Sequence, residues 1–514
     1  MKYFSALLSL FLCSGVLLAQ SSQSYWQDVE ASSIQLPQLA EVGLPTNKYR
    51  TLSLDLDKLQ QVLRQAPMEG SNTASTVISL PLPNGKMARF SIEESPVMMP
   101  KLATKYPGIK SYSGRSLDDQ ALSVRFDLGA GMLHAAIYTL NGTVYIDPYA
   151  NVATGHYFSY FTKDLDLRQT ELASLSCGLN TTELAQEEPT REYQNTTPAL
   201  SLRSAVTQPL RTYRLALACT GEYAQANGGT VEKVLASMNT ALNRVNQIFI
   251  RETAVKLMMI DNNDTLIFLD AATDPYNEPT SATTLLGVNP GVLNSRVGLN
   301  GYDIGHVFTR GCTNNIGGIA APATVCKETK GRGVTCFFRN DINFIAVSVM
   351  AHEIGHQFSC KHSWNSCPDF DDQLSSESAY EPGSGSTIMS YAGSCTNNNV
   401  ASQSDDYYAT RSLEEFISFS REQEGNGCAT QVPTPNNPPS VSINYRTNMV
   451  IPMRTPFALN AQGNDPDGDA LTYCWEQFDL GQVSTLGSPQ GSSPSFRSFP
   501  PNTSTSRTFP QLSD

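Results

Sequence analysis

Half of the histidines in this 514-residue chain fall in one twelve-residue stretch, Ala351-His352-Glu353-Ile354-Gly355-His356-Gln357-Phe358-Ser359-Cys360-Lys361-His362. Positions i and i+4 of a helix share a face, so His352 and His356 can offer two imidazoles to one metal ion. Glu353, one residue on, stands beside such an ion and off its ligand axis, where a carboxylate can accept a proton from an activated water. His362 lies six residues beyond His356, too far to add a third nitrogen on the same straight helix. A turn near Ser359 would bring it back and leave the fourth position for water. Three neutral imidazoles with an open position suit Zn2+, a redox-inert Lewis acid. A surface helix carrying these residues by chance is the bland alternative, and the scarcity of histidine elsewhere, six in the whole chain, weighs against it. Glu377 or Glu381 could supply a third ligand from a second helix, but Pro382, Gly383 and Gly385 break that stretch.

The segment from His352 to His362 resembles the extended zinc motif of the metzincin metallopeptidases, and Ser386-Thr387-Ile388-Met389-Ser390-Tyr391 resembles their Met-turn. Within that clan, residues 213–428 are most similar to the reprolysin-like (adamalysin-related) peptidases, bacterial secreted members in particular. The resemblance implies a metzincin-type α/β catalytic domain, a mixed twisted sheet plus an active-site helix, acting on protein or peptide substrates. It implies one Zn2+ on His352, His356 and His362, with Met389 as an apolar floor beneath it. Tyr391 is similar to the tyrosine that some metzincins swing toward zinc, where it could donate to an oxyanion; an ordinary packed tyrosine is the alternative. Ser359 departs from the family pattern, which has Gly there. It would need the left-handed region at a cost of about 1 kcal/mol, and a disulfide from Cys360, with Cys367 as candidate partner, would lock the bend. Cys177, in Leu175-Ser176-Cys177-Gly178, resembles the cysteine switch of metzincin propeptides, whose thiolate fills the open metal position; a free or otherwise paired thiol is the alternative.

Several elements must position these residues. Residues 1–19 read as a secretory signal peptide, with Lys2 ahead of an apolar run that ends at Ala19. Residues 20–205 read as an α+β propeptide, with strand patterns at 76–82, 121–128 and 143–147 and a helix at 54–65. A polar stretch at 183–211, holding Arg191, Arg203 and Arg211, reads as an exposed linker open to proteolysis. The catalytic domain is expected over 206–430. It should hold a strand at 212–219, a helix capped by Thr230, strands at 253–260 and 302–309, and helices at 342–359 and 412–422. An edge strand within 316–325 is expected to pair with extended substrate. Residues 431–439 read as a Pro-rich linker, and 440–514 as a partial immunoglobulin-like β-sandwich module.

A net charge of −13 argues against nucleic acid as partner, and no later segment reaches the ~20 apolar residues of a membrane span. Of eleven cysteines, eight lie between Cys219 and Cys428, enough for four disulfides in an oxidising compartment. Cys177 and Cys474 stand apart. His306 reads as a packed strand histidine rather than a ligand. Asp369, Asp371 and Asp372, and the turn Asp465-Pro466-Asp467-Gly468-Asp469, could hold structural Ca2+ or be solvated loops. The expectation is a secreted, zinc-dependent endopeptidase made as a latent zymogen. The alternative is a catalytically inactive surface binding or adhesion protein that keeps a peptidase fold.

Overall fold

The computed structural model describes residues 24–37, 46, 48–71, 73–165, 175–179, 208–338, 345–445 and 449–510. The expected signal peptide and most of the expected linker, with Arg191 and Arg203, lie outside the described residues.

The N-terminal part is an antiparallel sheet. Its strands are β1 (Trp26–Asp28), β2 (Arg50–Leu54), β3 (Thr76–Pro81), β4 (Met87–Glu94), β5 (Lys110–Ser116), β6 (Ser123–Gly129), β7 (Met132–Tyr138), β8 (Val144–Pro148) and β9 (His156–Phe161), in the order β1-β2-β9-β8-β7-β6-β5-β4-β3. Side chains alternate across a strand. In β6 this sends Val124, Phe126 and Leu128 into a core shared with Leu52, Phe90 and Leu133, and covered by helix α1 (Leu56–Leu63) through Leu59 and Leu63. Arg125 and Asp127 face the other way and are buried too, so the second face of the sheet has a partner.

That partner is a second unit, the one expected to be catalytic, built on a mixed sheet. Strands β10 (Ser176–Cys177), β11 (Leu210–Cys219), β12 (Val255–Met259), β13 (Ile304–Arg310), β14 (Ile316–Ala320) and β15 (Gly333–Phe337) run in the order β10-β14-β15-β13-β11-β12. β14 is antiparallel to β15, while β10 on β14, β15 on β13, β13 on β11 and β11 on β12 are parallel. Leu215 and Leu217 of β11 pack on one side, with the long helix that follows. Ala216 and Ala218 pack on the other, with Leu285, Leu286 and Leu293. Counting helices along the chain, α2 is Pro100–Lys105, α3 Gly221–Ala226, α4 Val231–Thr253, α5 Ala282–Val297, α6 Ala351–Gln357 and α7 Thr410–Glu422.

Helix α4 holds the two sheets together. Thr230 caps it by accepting from the Lys233 N–H. Val234, Leu235, Met238, Leu242, Val245 and Phe249 enter the core of the second unit. A polar stripe on α4 meets the N-terminal sheet: Arg125 donates to Asn243 at 2.8 Å, Thr240 to Asp127 at 2.7 Å, Asn239 to Ser111 at 3.0 Å, Arg244 to Asp147 at 2.6 Å and Gln247 to the Ala136 carbonyl at 3.0 Å. Burial lowers Arg125 to about 10 and raises the Asp127 carboxyl. Apolar contacts frame the stripe, since Val97, Met98, Leu102, Ile109, Tyr145 and Tyr160 share that core. The backbones also join, with Met99 N–H to Met259 O at 2.9 Å and Met259 N–H to Val97 O at 2.8 Å.

Three expectations are corrected. The linker does not extend to Arg211: β11 starts at Leu210, and Arg211 is buried, its N–H bound to Ala254 O at 2.9 Å. The helix expected over 342–359 is a π-helical turn at Ile345–Met350 followed by α6, a distinction that apolar periodicity does not carry. Cys360 does not pair with Cys367. The disulfides among the described residues are Cys312–Cys336, Cys326–Cys428 and Cys367–Cys395. The chain leaves the bend with Cys360 turned inward, its thiol donating to Ser412 O of α7 at 3.3 Å, and Cys219 is likewise buried and free. Beyond β16 (Thr430–Val432), the described C-terminal strands β17 (Ser440–Ser442), β18 (Phe457–Asn460), β19 (Gln462–Asn464) and β20 (Ser506–Phe509) form two separate antiparallel pairs, β17 with β19 and β18 with β20.

Because these α4 contacts join residues on either side of 180–207, cutting the chain there should leave both pieces associated. Co-elution of the nicked protein on size exclusion at neutral pH is the expected result; two separate peaks would contradict it.

Candidate active site

Helix α6 carries His352, Glu353 and His356, and ends as its turn tightens. The Phe358 N–H bonds Ile354 O at 3.0 Å, Cys360 N–H bonds Gly355 O at 2.9 Å, and Ser359 takes φ 76°. Ser359 therefore adopts the left-handed conformation its place at the bend demands, and the chain reverses to bring His362 back. The ring centroids of His352 and His356 are 4.7 Å apart, those of His356 and His362 4.8 Å, and those of His352 and His362 5.3 Å.

Each ring is aimed by a backbone carbonyl. Nδ1 of His352 donates to Ile388 O at 2.8 Å, Nδ1 of His356 to Cys360 O at 2.7 Å, and Nδ1 of His362 to Gln373 O at 2.8 Å. These acceptors assign the proton to Nδ1 and leave a lone pair on every Nε2. The Nε2 atoms of His352 and His356 are 3.1 Å apart, and Nε2 of His362 is buried without a hydrogen-bond partner. Two lone pairs at that separation repel unless a cation lies between them. Protonation is a poor remedy, because burial, aided by neighbouring imidazoles, pushes His352 down to about 3 and His356 well below the ordinary range. Burial alone takes His362 to about 4. Neutral, convergent nitrogens fit a divalent metal.

Cys177 completes the cluster. Its Sγ lies 3.7 Å from Nε2 of His356 and 3.5 Å from Oε2 of Glu353, and one ligand atom from each of Cys177, His352, His356 and His362 lies within 4.8 Å of all the others. Burial first, then the adjacent Glu353, raises the thiol well above its ordinary range, and burial likewise raises the Glu353 carboxyl. Cys177 is delivered by β10, which lies parallel on β14 with Ser176 opposite Ile316 and Cys177 opposite Gly318. Gly178 N–H bonds Gly318 O at 2.8 Å, and the Ser394 hydroxyl holds Leu175 O at 2.6 Å. The segment expected to receive substrate is thus paired with the chain's own residues. Glycine at 318 is required by space: a Cβ there would sit 2.6 Å from Cγ of Glu353 and 2.7 Å from Val334 O.

Met389 lies under α6, where a Cβ on Gly355 would come within 2.7 Å of its sulfur, and its carbonyl accepts from Ser363 N–H at 3.1 Å. The Tyr391 ring is 4.8 Å from that of His362, and its hydroxyl donates to Oε1 of Gln373 and to Cys177 O at 3.4 Å. His306 sits outside the cluster, bonded to Gln357 at 3.1 Å and Thr335 at 2.8 Å. Asp369 is tied to Thr396, and the carboxylates of Asp465, Asp467 and Asp469 approach one another on an exposed turn; neither place gathers buried ligands for Ca2+. Sequence reasoning missed two partners: Gln373, whose carbonyl aims His362, and the β10 pairing, for which the small residues Ser176, Gly178, Gly317 and Gly318 were the available signal.

Residues 209–417 match the model of the reprolysin-like metallo-peptidases of family M12B. Among solved structures, the chain is similar to metalloproteinase-II from Bacteroides fragilis, with 10% identity, a TM-score of 0.35, and coverage of 71% of this chain and 95% of that one. A structure of a chaperone-substrate complex is similar at 11% identity and a TM-score of 0.26, over 43% of this chain and 35% of the other. No curated protein gave a significant match.

Gly318→Ala should force β14 and Glu353 apart and lower stability by about 1–3 kcal/mol, read as a fall in unfolding temperature. An unchanged melting curve would show that the strand has room to spare.

Proposed function

We propose, from the premise that residues 209–417 belong to the reprolysin-like metallopeptidases of family M12B, that this protein is a secreted zinc endopeptidase held latent by its own N-terminal part. The observation that carries this reading is the tight cluster of three imidazole nitrogens and one thiol, with the Glu353 carboxyl beside it. His352, His356 and His362 would hold the ion. Zn2+ bound there supplies Lewis acidity, polarising the scissile carbonyl and lowering the pKa of a water toward about 7. Glu353 takes the proton of the attacking water on a carboxylate oxygen and returns it to the leaving amine nitrogen. The three backbone carbonyls keep the imidazole rings aimed throughout, so little reorganisation accompanies the reaction. Met389 packs beneath α6 and stays out of the chemistry. Tyr391 could donate to the developing oxyanion once its hydroxyl leaves Gln373 and Cys177 O.

Latency follows from where Cys177 stands. Its sulfur fills the space a water needs, and Ser176 and Cys177 occupy the β14 edge that an extended peptide would use. Three disulfides in one unit support an oxidising, extracellular setting. Maturation then requires both a cut in the connecting segment and withdrawal of β10.

Glu353→Gln should keep one zinc per chain by metal analysis while casein hydrolysis by the matured enzyme falls roughly 10²–10⁴-fold or more. Full activity in that variant would remove Glu353 from the mechanism, and hydrolysis that resists a chelator would remove the metal. Cys177→Ala should give the uncleaved precursor measurable activity; a silent precursor would assign latency to strand occupancy alone.

A further inference from the structure

We propose that Glu381 is a positioning residue for this metal centre, a buried carboxylate that clamps the segment carrying His362 to the turn whose carbonyl aims His352. The inference rests on the zinc reading above and adds to it a residue that is neither ligand nor acid–base group. Glu381 is 3% exposed, and both its oxygens are spent on hydrogen bonds. Oε2 accepts from the Ser363 hydroxyl at 2.6 Å and from the Thr387 hydroxyl at 2.6 Å. Oε1 accepts from the Ser386 N–H at 2.9 Å and the Thr387 N–H at 3.2 Å. Ser363 directly follows His362. Thr387 directly precedes Ile388, whose carbonyl receives the Nδ1–H of His352 at 2.8 Å.

The backbone repeats the connection. Glu381 N–H bonds Ser363 O and Asn365 N–H bonds Glu381 O, both at 2.9 Å, while Ser363 N–H bonds Met389 O at 3.1 Å. One carboxylate, with its roughly four acceptor sites filled, therefore couples the third imidazole to the carbonyl that steers the first. Charge-assisted bonds of this kind are short and directional. Groups that orient ligands in this way typically change metal affinity about 10–100-fold when removed.

The test uses the full-length protein and Zn2+ in competition with a chromophoric chelator, with the Co2+ absorption spectrum as a second readout. Near-UV circular dichroism of the metal-free forms establishes that each variant is folded. Glu381→Ala should bind Zn2+ roughly 10–100-fold more weakly and shift the Co2+ bands. Glu381→Gln should restore most of the affinity, because its amide oxygen still accepts the two backbone N–H groups and its NH2 can donate to the two hydroxyls. If Glu381→Ala does not fold, the double variant Ser363→Ala/Thr387→Val removes the Oε2 half of the clamp and should weaken Zn2+ several-fold. A purely structural glutamate would lower the unfolding temperature and leave affinity and spectrum unmoved, and that result overturns the proposal. His362→Ala separates the two layers: wild type that binds Zn2+ no better than His362→Ala overturns the metal reading itself, whereas wild type and the clamp variants binding alike, both above His362→Ala, overturns only the clamp.

Discussion

Three imidazole nitrogens pointing their lone pairs into one small buried volume is an arrangement that costs free energy unless something positive occupies it. Nε2 of His352 and His356 stand 3.1 Å apart, and their Nδ1 protons are already committed to backbone carbonyls. The surrounding architecture enforces that geometry. The π-helical turn at Ile345–Met350 feeds α6, and Ser359 at φ 76° turns the chain. The carbonyls of Ile388, Cys360 and Gln373 then fix the plane of each ring. These carbonyls come from three separate segments, so the site depends on the turn around Met389 and the loop before it being held to within a fraction of an ångström.

The N-terminal part joins the same site from outside. Two residues of β10 are enough to place a thiol among the imidazoles because β14 offers Gly317, where a side chain would crowd Leu175 and Ser176, and Gly318, which leaves room for Glu353. Such a short pairing is weak by itself. It is anchored at a distance by the broad seam between the N-terminal sheet and α4, where Arg125, Asp127, Ser111 and Asp147 find partners on the helix. The local pairing and the distant anchoring are thus physically separate.

Much of the site was legible from spacing. Histidines at i and i+4 need only helical periodicity to be placed on one face, and the left-handed conformation expected at Ser359 is the one observed. Other features depend on directions that a linear pattern does not hold. Whether Cys360 reaches Cys367 turns on which way its Cα–Cβ bond points after a left-handed residue, and it points toward α7. Arg211 reads as linker by composition, yet β12 and β16 flank it and draw it into β11. In the N-terminal sheet, β2 lies beside β9, a pairing across about a hundred residues that no local signal announces. Glu381 could be weighed from sequence only as a possible ligand. Its bonds to Ser363 and Thr387 emerge once two loops are side by side.

Helix α4 carries a consequence of its own. A helix enclosed on both sides is ordinarily apolar all round, but here Asn239, Thr240, Asn243, Arg244 and Gln247 form one of the two buried flanks. Those groups trade hydrogen bonds with the neighbouring sheet as readily as they would with water. Lifted apart, this flank would hydrate rather than seek another greasy surface, and only the fringe around Met98, Leu102 and Tyr160 would resist. The seam has the mixed character of a dissociable contact between two proteins, although a single polypeptide supplies both sides.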